Sequence, residues 1–163
     1  MVLAPHIIVG AAIGNKIHNF WLVAILGIVS HFVMDQIPHW DHHAPDYIIS
    51  FKKTKRIKYL IKFLILMIVD GIVGLLVVVI SLYFKNALNF YLLKFVIVGI
   101  FFATLPDILL GFSYIMDKYK ISKDYIRFHH FFHSKTQKEG KITFLGLFTQ
   151  ILIIIVALIV FFF

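Results

Sequence analysis

The sequence contains no cysteine, and this absence excludes disulfide bonds, thiolate metal ligands and cysteine nucleophiles. Any metal ion must therefore be bound by nitrogen and oxygen atoms. Arginine is almost absent too, because only Arg56 and Arg127 are present, and this disfavours a lipid phosphatase of the kind that surrounds its phosphate with arginines. No basic group precedes the first apolar run, so we expect no cleaved signal peptide.

Hydrophobic residues make up 61% of the 163 residues and aromatic residues 17%, and the mean hydropathy is +0.93. These values are typical of a polytopic membrane protein and far from those of a soluble domain. The formal charge of +8 is compatible with nucleic-acid binding, but the basic residues lie in short segments beside apolar runs. Membrane orientation and anionic lipid headgroups explain basic residues in such positions. We therefore predict contacts with anionic headgroups and no nucleic-acid partner.

The apolar runs predict an all-α membrane bundle of about four spanning helices, with a short N-terminal helix and one interfacial helix, in a single domain over residues 1–163. Residues 5–14 are too short to span a bilayer, since a span needs about 20 apolar residues. They predict a buried or re-entrant helix whose small residues, Gly10, Ala11 and Gly14, permit close packing on its neighbours. The predicted spanning helices cover residues 19–37, 59–84, 87–116 and 142–163, and the last of them is expected to be only an anchor.

Two basic segments set the predicted orientation. Residues 44–58, predicted to be a polar loop, hold five Lys and Arg, and residues 118–141 hold seven, whereas the turn at 85–90 holds one. Residues 118–140 also have the pattern of an interfacial amphipathic segment. Because cytoplasmic segments are enriched in Lys and Arg, we predict an inner-membrane protein whose basic segments face the cytoplasm.

Histidine and aspartate concentrate at the end of the second predicted helix, in residues 30–43. His31 and Asp35 are four residues apart, so on a helix their side chains lie on one face and can share a ligand. Pro38 should end this helix. The loop beyond it then carries His39, Asp41, His42 and His43. Neutral imidazole and carboxylate together suit Zn²⁺, Fe or Mn²⁺.

Two further aspartates, Asp70 and Asp107, lie inside predicted spanning helices. A carboxylate in hydrocarbon is costly unless it is paired, protonated or bound to a metal. Pro106 should kink its helix and free a backbone carbonyl near Asp107. Both aspartates are placed at similar depths from the basic end of their helices, which makes them candidates for a shared site.

Histidines also occur at the start of the first helix, as His6, and in the second basic segment. There His129 and His133 are four residues apart and share a helix face, with His130 between them. Because all these groups belong to the same predicted side of the membrane, we expect them to converge on a divalent metal, Zn²⁺ above all, in one or more copies. The predicted metal ligands are His6, His31, Asp35, His39, Asp107, His129, His130 and His133.

Asp70 or Asp41 is predicted to orient a metal-bound water or to act as its general base. For Asp70, a hydrogen bond in helix packing is an open alternative. His18 is expected to be structural, and Asp46 and Asp124 are expected to be solvated.

These motifs together resemble those of the bacterial membrane-bound metal-dependent hydrolases of the LexA-regulated inner-membrane type. The resemblance depends on an early histidine, a His-x-x-x-Asp helix, a Leu-Pro-Asp and a late paired-histidine element ending in His-Ser. The matching residues are His6, His31 with Asp35, residues 105–107, and His129, His133 and Ser134. Two departures indicate a divergent member: the His-x-x-x-Asp comes early, and the late element lacks the Arg-Gly that usually follows its first histidine. The resemblance implies a hydrolase with a distant likeness to zinc phospholipase C.

The leading hypothesis is accordingly a metal-dependent hydrolase that acts on a phosphoester or ester of a membrane lipid at the cytoplasmic headgroup level. Two alternatives stay open. A di-iron lipid hydroxylase or desaturase is suggested by His39-x-x-His42-His43 and by the histidines around His129. A metal-ion or proton transporter would use Asp70 and Asp107 as a relay.

Overall fold

The computed structural model describes residues 2–42, 44–133 and 143–163, and every regular element in these ranges is a helix. In chain order the helices are α1 (Leu3–Lys16), α2 (Phe20–Gln36), α3 (Ala44–Thr54), α4 (Ile57–Phe84), α5 (Phe90–Ile115), α6 (Lys120–Phe132) and α7 (Phe144–Phe162). The predictions that concern His43, Ser134 and the rest of residues 134–142 lie outside the described residues.

Three helices, α4, α5 and α7, are long and apolar enough to span a membrane, with 28, 26 and 19 residues. α2 is also apolar but has 17 residues, fewer than the roughly 20 that a full span needs. Large apolar side chains on the long helices remain exposed, among them Ile68 and Ile97 at 58% and 62%, as expected of a surface that contacts lipid. The predicted all-α membrane bundle is confirmed, with three full-length candidate spans and one shorter apolar helix.

Residues 44–58 were predicted to be a loop. This prediction is wrong, because most of these residues form α3. Tyr47, Ile48 and Phe51 recur at helical spacing, and Ile48 is buried against the bundle with 1% exposure. The Lys52 ammonium donates a hydrogen bond to the carbonyl oxygen of Tyr114 at 2.9 Å and pairs with the Asp117 carboxylate. The charged residues that suggested a loop therefore attach a short amphipathic helix to the end of α5.

The packing of α1 on α5 depends on three glycines, Gly10 and Gly14 on α1 and Gly99 on α5. Close packing at the two glycines of α1 was predicted from the sequence. A Cβ atom on Gly10 would lie 2.4 Å from the carbonyl oxygen of Gly99, and one on Gly14 would lie 2.1 Å from that of Phe95. The backbones therefore approach more closely than any larger residue allows. Since later residues of α1 meet earlier residues of α5, the helices are antiparallel. His6, four residues before Gly10, is thus level with Ala103, four residues after Gly99.

α2 packs on the same stretch of α5. A Cβ atom on Gly27 would lie 3.1 Å from the backbone nitrogen of Ala103, and Ala103 itself has no exposed surface. His31 is one turn beyond Gly27 on α2. α5 is therefore the helix against which both α1 and α2 place their histidines.

α7 is more than the anchor that the sequence suggested. The Thr149 hydroxyl donates a hydrogen bond to the carbonyl oxygen of Pro38, and the Gln150 amide donates one to that of Trp40 at 2.7 Å. A Cβ atom on Gly146 would lie 3.0 Å from the backbone nitrogen of Trp40, so the loop can only approach this closely because the residue is glycine. The first turns of α7 hold the loop that carries His39. A uniformly apolar run gave no signal of this role, since the contact depends on two isolated polar side chains.

Candidate metal centre

Seven side chains of residue types that bind metals converge at the end of the bundle where α2, α5 and α6 meet. They come from α1, α2, α5 and α6, from the residue that ends α6, and from the loop after α2. His6 lies on α1, His31 and Asp35 on α2, His39 on the loop after α2, Asp107 on α5, His129 on α6 and His133 at its end. Four of them have no exposed surface and His39 has 2%, while the side chains of Asp107 and His133 retain 22% and 19%. The centre is thus buried except at these last two residues.

His31, Asp35, Asp107 and His129 form the larger of two groups, in which one ligand atom from each residue lies within 4.8 Å of all the others. Nε2 of His31 lies 3.2 Å from Oδ2 of Asp35 and 3.7 Å from Oδ1 of Asp107. Nε2 of His129 lies 3.5 Å from the same oxygen of Asp107. Ligands of one tetrahedral ion with bonds near 2 Å are separated by about 3.3 Å, so these atoms are already close to coordinating positions.

The hydrogen bond between His31 and α5 fixes the orientation of this ring. Nδ1 of His31 lies 2.9 Å from the carbonyl oxygen of Ala103. A carbonyl oxygen only accepts, so Nδ1 carries the proton and, in neutral imidazole, Nε2 carries the lone pair. That lone pair faces Nε2 of His129 at 3.2 Å and both carboxylates. Metal-binding histidines usually donate the N–H of their other ring nitrogen to such an acceptor.

A second group, Asp35, His39 and His133, adjoins the first and shares Asp35 with it. Nε2 of His133 lies 3.5 Å from Oδ2 of Asp35. Nδ1 of His39 donates to the carbonyl oxygen of Ile37 at 2.6 Å, which again leaves Nε2 with the lone pair. Burial lowers the pKa of His39 to about 4 and also lowers the pKa of His133, so both rings are neutral near pH 7 and able to bind a metal.

His6 completes the cluster from the α1 side. Its ring stacks on that of His31 with centroids 4.2 Å apart, and its Nε2 lies 3.4 Å from Oδ1 of Asp35. Asp35 therefore has histidine on both of its oxygens, and the Gly10–Gly99 contact described above holds His6 at this level.

α6 is held over the centre by aromatic packing and by hydrogen bonding to α5. The rings of Phe128 and Phe132 lie 5.4 Å and 5.0 Å from that of Phe32 on α2. The Tyr125 hydroxyl donates to the carbonyl oxygen of Pro106 at 2.9 Å, and burial, followed by the Asp107 charge, raises the pKa of Tyr125 to about 12. Tyr125 therefore stays a neutral donor at any physiological pH.

Two backbone carbonyl groups of α5 near Asp107 bind side chains from other helices. α5 continues through the proline, and the carbonyl oxygens of Ala103 and Pro106 both accept side-chain hydrogen bonds, from His31 and Tyr125. The missing N–H of Pro106 frees the carbonyl of Phe102, four residues earlier, so these two contacts are not the ones that the proline predicted, and the predicted kink stays a prediction. The local sequence around His31 or Tyr125 does not reveal these hydrogen bonds, because each accepting carbonyl oxygen lies on another helix.

Three predicted site residues are not among those whose ligand atoms converge. The Asp70 carboxylate accepts hydrogen bonds from the backbone N–H groups of Leu3 and of Ala4, the latter at 3.2 Å, and so caps the start of α1. His130 is exposed, and its Nε2 lies 2.7 Å from the hydroxyl of Tyr114. Oδ1 of Asp41 accepts from the backbone N–H of His42 at 2.7 Å.

No family model, curated protein or solved structure matches this chain in comparisons with each of these sets. The resemblance to the membrane-bound metal-dependent hydrolases stays a prediction that depends on the motifs. What the structure adds is that the buried His and Asp side chains form groups able to hold a metal ion.

Proposed function

We propose that this protein is a membrane-embedded, metal-dependent hydrolase that acts on a phosphoester or related ester of a lipid at the level of the headgroup. The observation that carries the proposal is the buried group of His31, Asp35, Asp107 and His129, in which a backbone carbonyl fixes the lone pair of His31 toward two carboxylates. Imidazole nitrogen and carboxylate oxygen form the ligand set of hydrolytic zinc sites.

The full burial of Asp35, close to a second and partly exposed carboxylate, supports a metal ion over a structural network of ion pairs. Asp35 has no exposed surface, and an uncompensated charge at such a position costs several kcal/mol. One divalent cation compensates two carboxylates while leaving the histidines neutral.

A divalent ion held by these residues would supply a water whose pKa is lowered toward about 7 and a positive charge where negative charge develops. Hydrolysis then needs one group that takes a proton from the attacking water and returns it to the leaving alcohol. We assign this role to Asp41, because it lies two residues after His39 in the same loop. Asp70, the other predicted candidate, is engaged by the backbone of α1.

A lipid is the substrate class that the surroundings favour. The partly exposed members of the centre, Asp107 and His133, lie on or beside α5 and α6. α6 is amphipathic, with Ile121 and Phe131 exposed at 78% and 77%, as in helices that lie in the membrane interface. The basic residues of α3 and α6 would attract anionic headgroups. By the distribution of Lys and Arg, this end of the bundle is proposed to face the cytoplasm.

The test is purification in detergent, measurement of bound metal, and assay against phospholipids with anionic and zwitterionic headgroups. We expect release of a water-soluble or lipid alcohol product. This hydrolysis should stop when the metal is chelated and resume when Zn²⁺ is added. His31→Ala should abolish it, whereas His18→Ala, an exposed histidine at the opposite end of α2, should not. A metal-free protein with no hydrolytic product would refute the proposal.

The same experiment distinguishes the two alternatives. Bound iron and an oxidised lipid product would indicate the hydroxylase or desaturase, and ion flux into sealed vesicles without any product would indicate the transporter. The structure favours neither: the ring of His42 packs against Trp40 with centroids 4.6 Å apart, and Asp70 and Asp107 have different partners.

A further inference from the structure

We infer that the centre binds two divalent ions side by side, with Asp35 shared between them and with His39 and His133 completing the second position. The inference rests on the proposed function, because it adds a neighbour to the metal ion proposed above. The proposed function allows a phosphoester or a related ester of a lipid, and two ions limit this substrate class to phosphoesters.

The position of the Asp35 carboxylate is the first observation. Its Oδ2 lies 3.2 Å from Nε2 of His31 and 3.8 Å from Nε2 of His129, which belong to the first group. The same oxygen lies 3.5 Å from Nε2 of His133, which belongs to the second. One carboxylate thus stands between two sets of imidazole nitrogens, as a carboxylate that bridges two ions does.

The second observation is the orientation of His39. Its Nδ1 is committed to the carbonyl oxygen of Ile37 at 2.6 Å, and its Nε2 is buried with no hydrogen-bond partner among the described residues. The residue has 2% exposure, so water does not satisfy this nitrogen from the surface. A buried, oriented lone pair without a partner is unfavourable, and a cation in the adjoining position would satisfy it.

The loop that carries His39 is held on both sides, which fits a binding position formed in advance. Thr149 on α7 binds the carbonyl oxygen of Pro38, and Gln150 binds that of Trp40. These two hydrogen bonds flank His39 in the sequence and restrict the backbone on either side of it. A ligand whose backbone is fixed in this way loses little entropy on metal binding.

Charge gives the consequence for the substrate. The two carboxylates, Asp35 and Asp107, are neutralised by one divalent ion, whereas two divalent ions leave the centre with a net charge of roughly +2. A positive centre attracts a phosphodiester or phosphomonoester headgroup, and the chain has few arginines to supply that charge otherwise. Two ions held by these residues would supply positive charge for both the attacking and the leaving oxygen of a displacement at phosphorus.

The test is metal stoichiometry in the full-length protein in detergent, stripped with chelator and reloaded with Mn²⁺ or Zn²⁺. We expect two ions per chain in the parent, one in His39→Ala, and two in His42→Ala, a matched histidine of the same loop. With Mn²⁺ the parent should give the electron paramagnetic resonance spectrum of a coupled pair, and His39→Ala that of an isolated ion. His133→Ala, a partly exposed residue at the end of α6, provides an independent variant if His39→Ala fails to fold.

The outcomes separate the two proposals. The parent could bind one ion that is lost in His31→Ala but kept in both His39→Ala and His133→Ala. This outcome would overturn the proposal of a second ion and would leave the proposed hydrolase unaffected. Two ions retained in His39→Ala and in His133→Ala would also overturn it. No ion in the parent would overturn both proposals.

Discussion

The imidazole of His31 donates a hydrogen bond across the α2–α5 contact to the carbonyl oxygen of Ala103 at 2.9 Å, one helical turn before Asp107. α5 therefore supplies both one ligand of the first metal position and the group that orients another. Any movement of α2 along α5 changes the lone-pair direction of His31 and its distance to Asp107 at the same time.

Loss of ligands should be visible as loss of metal. His31→Ala or Asp35→Asn removes a group from the first metal position, so metal affinity should fall by at least the ~10 to 100-fold that loss of a supporting residue alone causes. The parent should gain about 2.7 kcal/mol of stability from Zn²⁺ at a hundred times its Kd, and these variants should lose this gain. Melting with and without Zn²⁺ measures it. Equal Zn²⁺ stabilisation in these variants and in His18→Ala would contradict the site.

The glycine contact between α1 and α5 should control both stability and metal binding. In Gly99→Ala the new Cβ would lie 2.1 Å from the carbonyl oxygen of Gly10, so the helices must separate, at a cost of about 1 to 3 kcal/mol. The separation should also weaken metal binding, because it moves His6 away from Asp35.

Gly111→Ala is the matched control on the same helix, since its nearest contact would be Phe63 at an ordinary 3.7 Å. A comparison of melting temperature and bound metal in the two variants tests the prediction. Similar melting of both would mean that the close approach of α1 to α5 is not required.

Asp70→Ala should destabilise the protein without removing its metal. The carboxylate accepts from the first backbone N–H groups of α1, and loss of a helix cap costs about 0.5 to 2 kcal/mol. Asp70→Asn keeps an acceptor oxygen and should cost less. Normal melting together with abolished turnover in Asp70→Asn would instead support the catalytic role that the sequence suggested.

Acid should destabilise the metal-free protein through His39. Burial lowers its pKa from 6.5 to about 4 in the folded state, so between these values the unfolded chain binds a proton that the folded chain does not. The free energy of unfolding should therefore be intact above pH 6.5 and fall as the pH is lowered toward 4, by on the order of 3 kcal/mol at most. His39→Gln should show a shallower pH dependence of melting. An unchanged dependence would show that His39 titrates normally.

The orientation can be tested with single cysteines, because the chain has none of its own. Lys53→Cys lies in α3 at the metal-centre end, and Leu88→Cys lies in the turn between α4 and α5, where Leu88 is 55% exposed. A membrane-impermeant thiol reagent added to intact cells should label only Leu88→Cys. Labelling of Lys53→Cys alone would reverse the proposed orientation.

Apolar runs were sufficient to predict the helical bundle, and residue types were sufficient to predict most of the cluster. His31 with Asp35 and His129 with His133 were identified by their i, i+4 spacing, and Asp107 because a carboxylate in hydrocarbon requires a partner. Contacts between distant segments were not predictable in the same way. The cap that Asp70 provides to α1, and the hold of Gln150 on Trp40, join residues that lie 66 and 110 positions apart in the sequence. α3 was missed because its lysines obscured the helical spacing of Tyr47, Ile48 and Phe51.

The attachment of the His39 loop to α7 has a consequence for biogenesis. Gln150 is made 110 residues after Trp40, so while the earlier helices enter the membrane the loop has no α7 to hold it. The contacts that fix the backbone on either side of His39 can form only after α7 is present. A helix that contributes no ligand to the centre among the described residues therefore determines when His39 can take its place there.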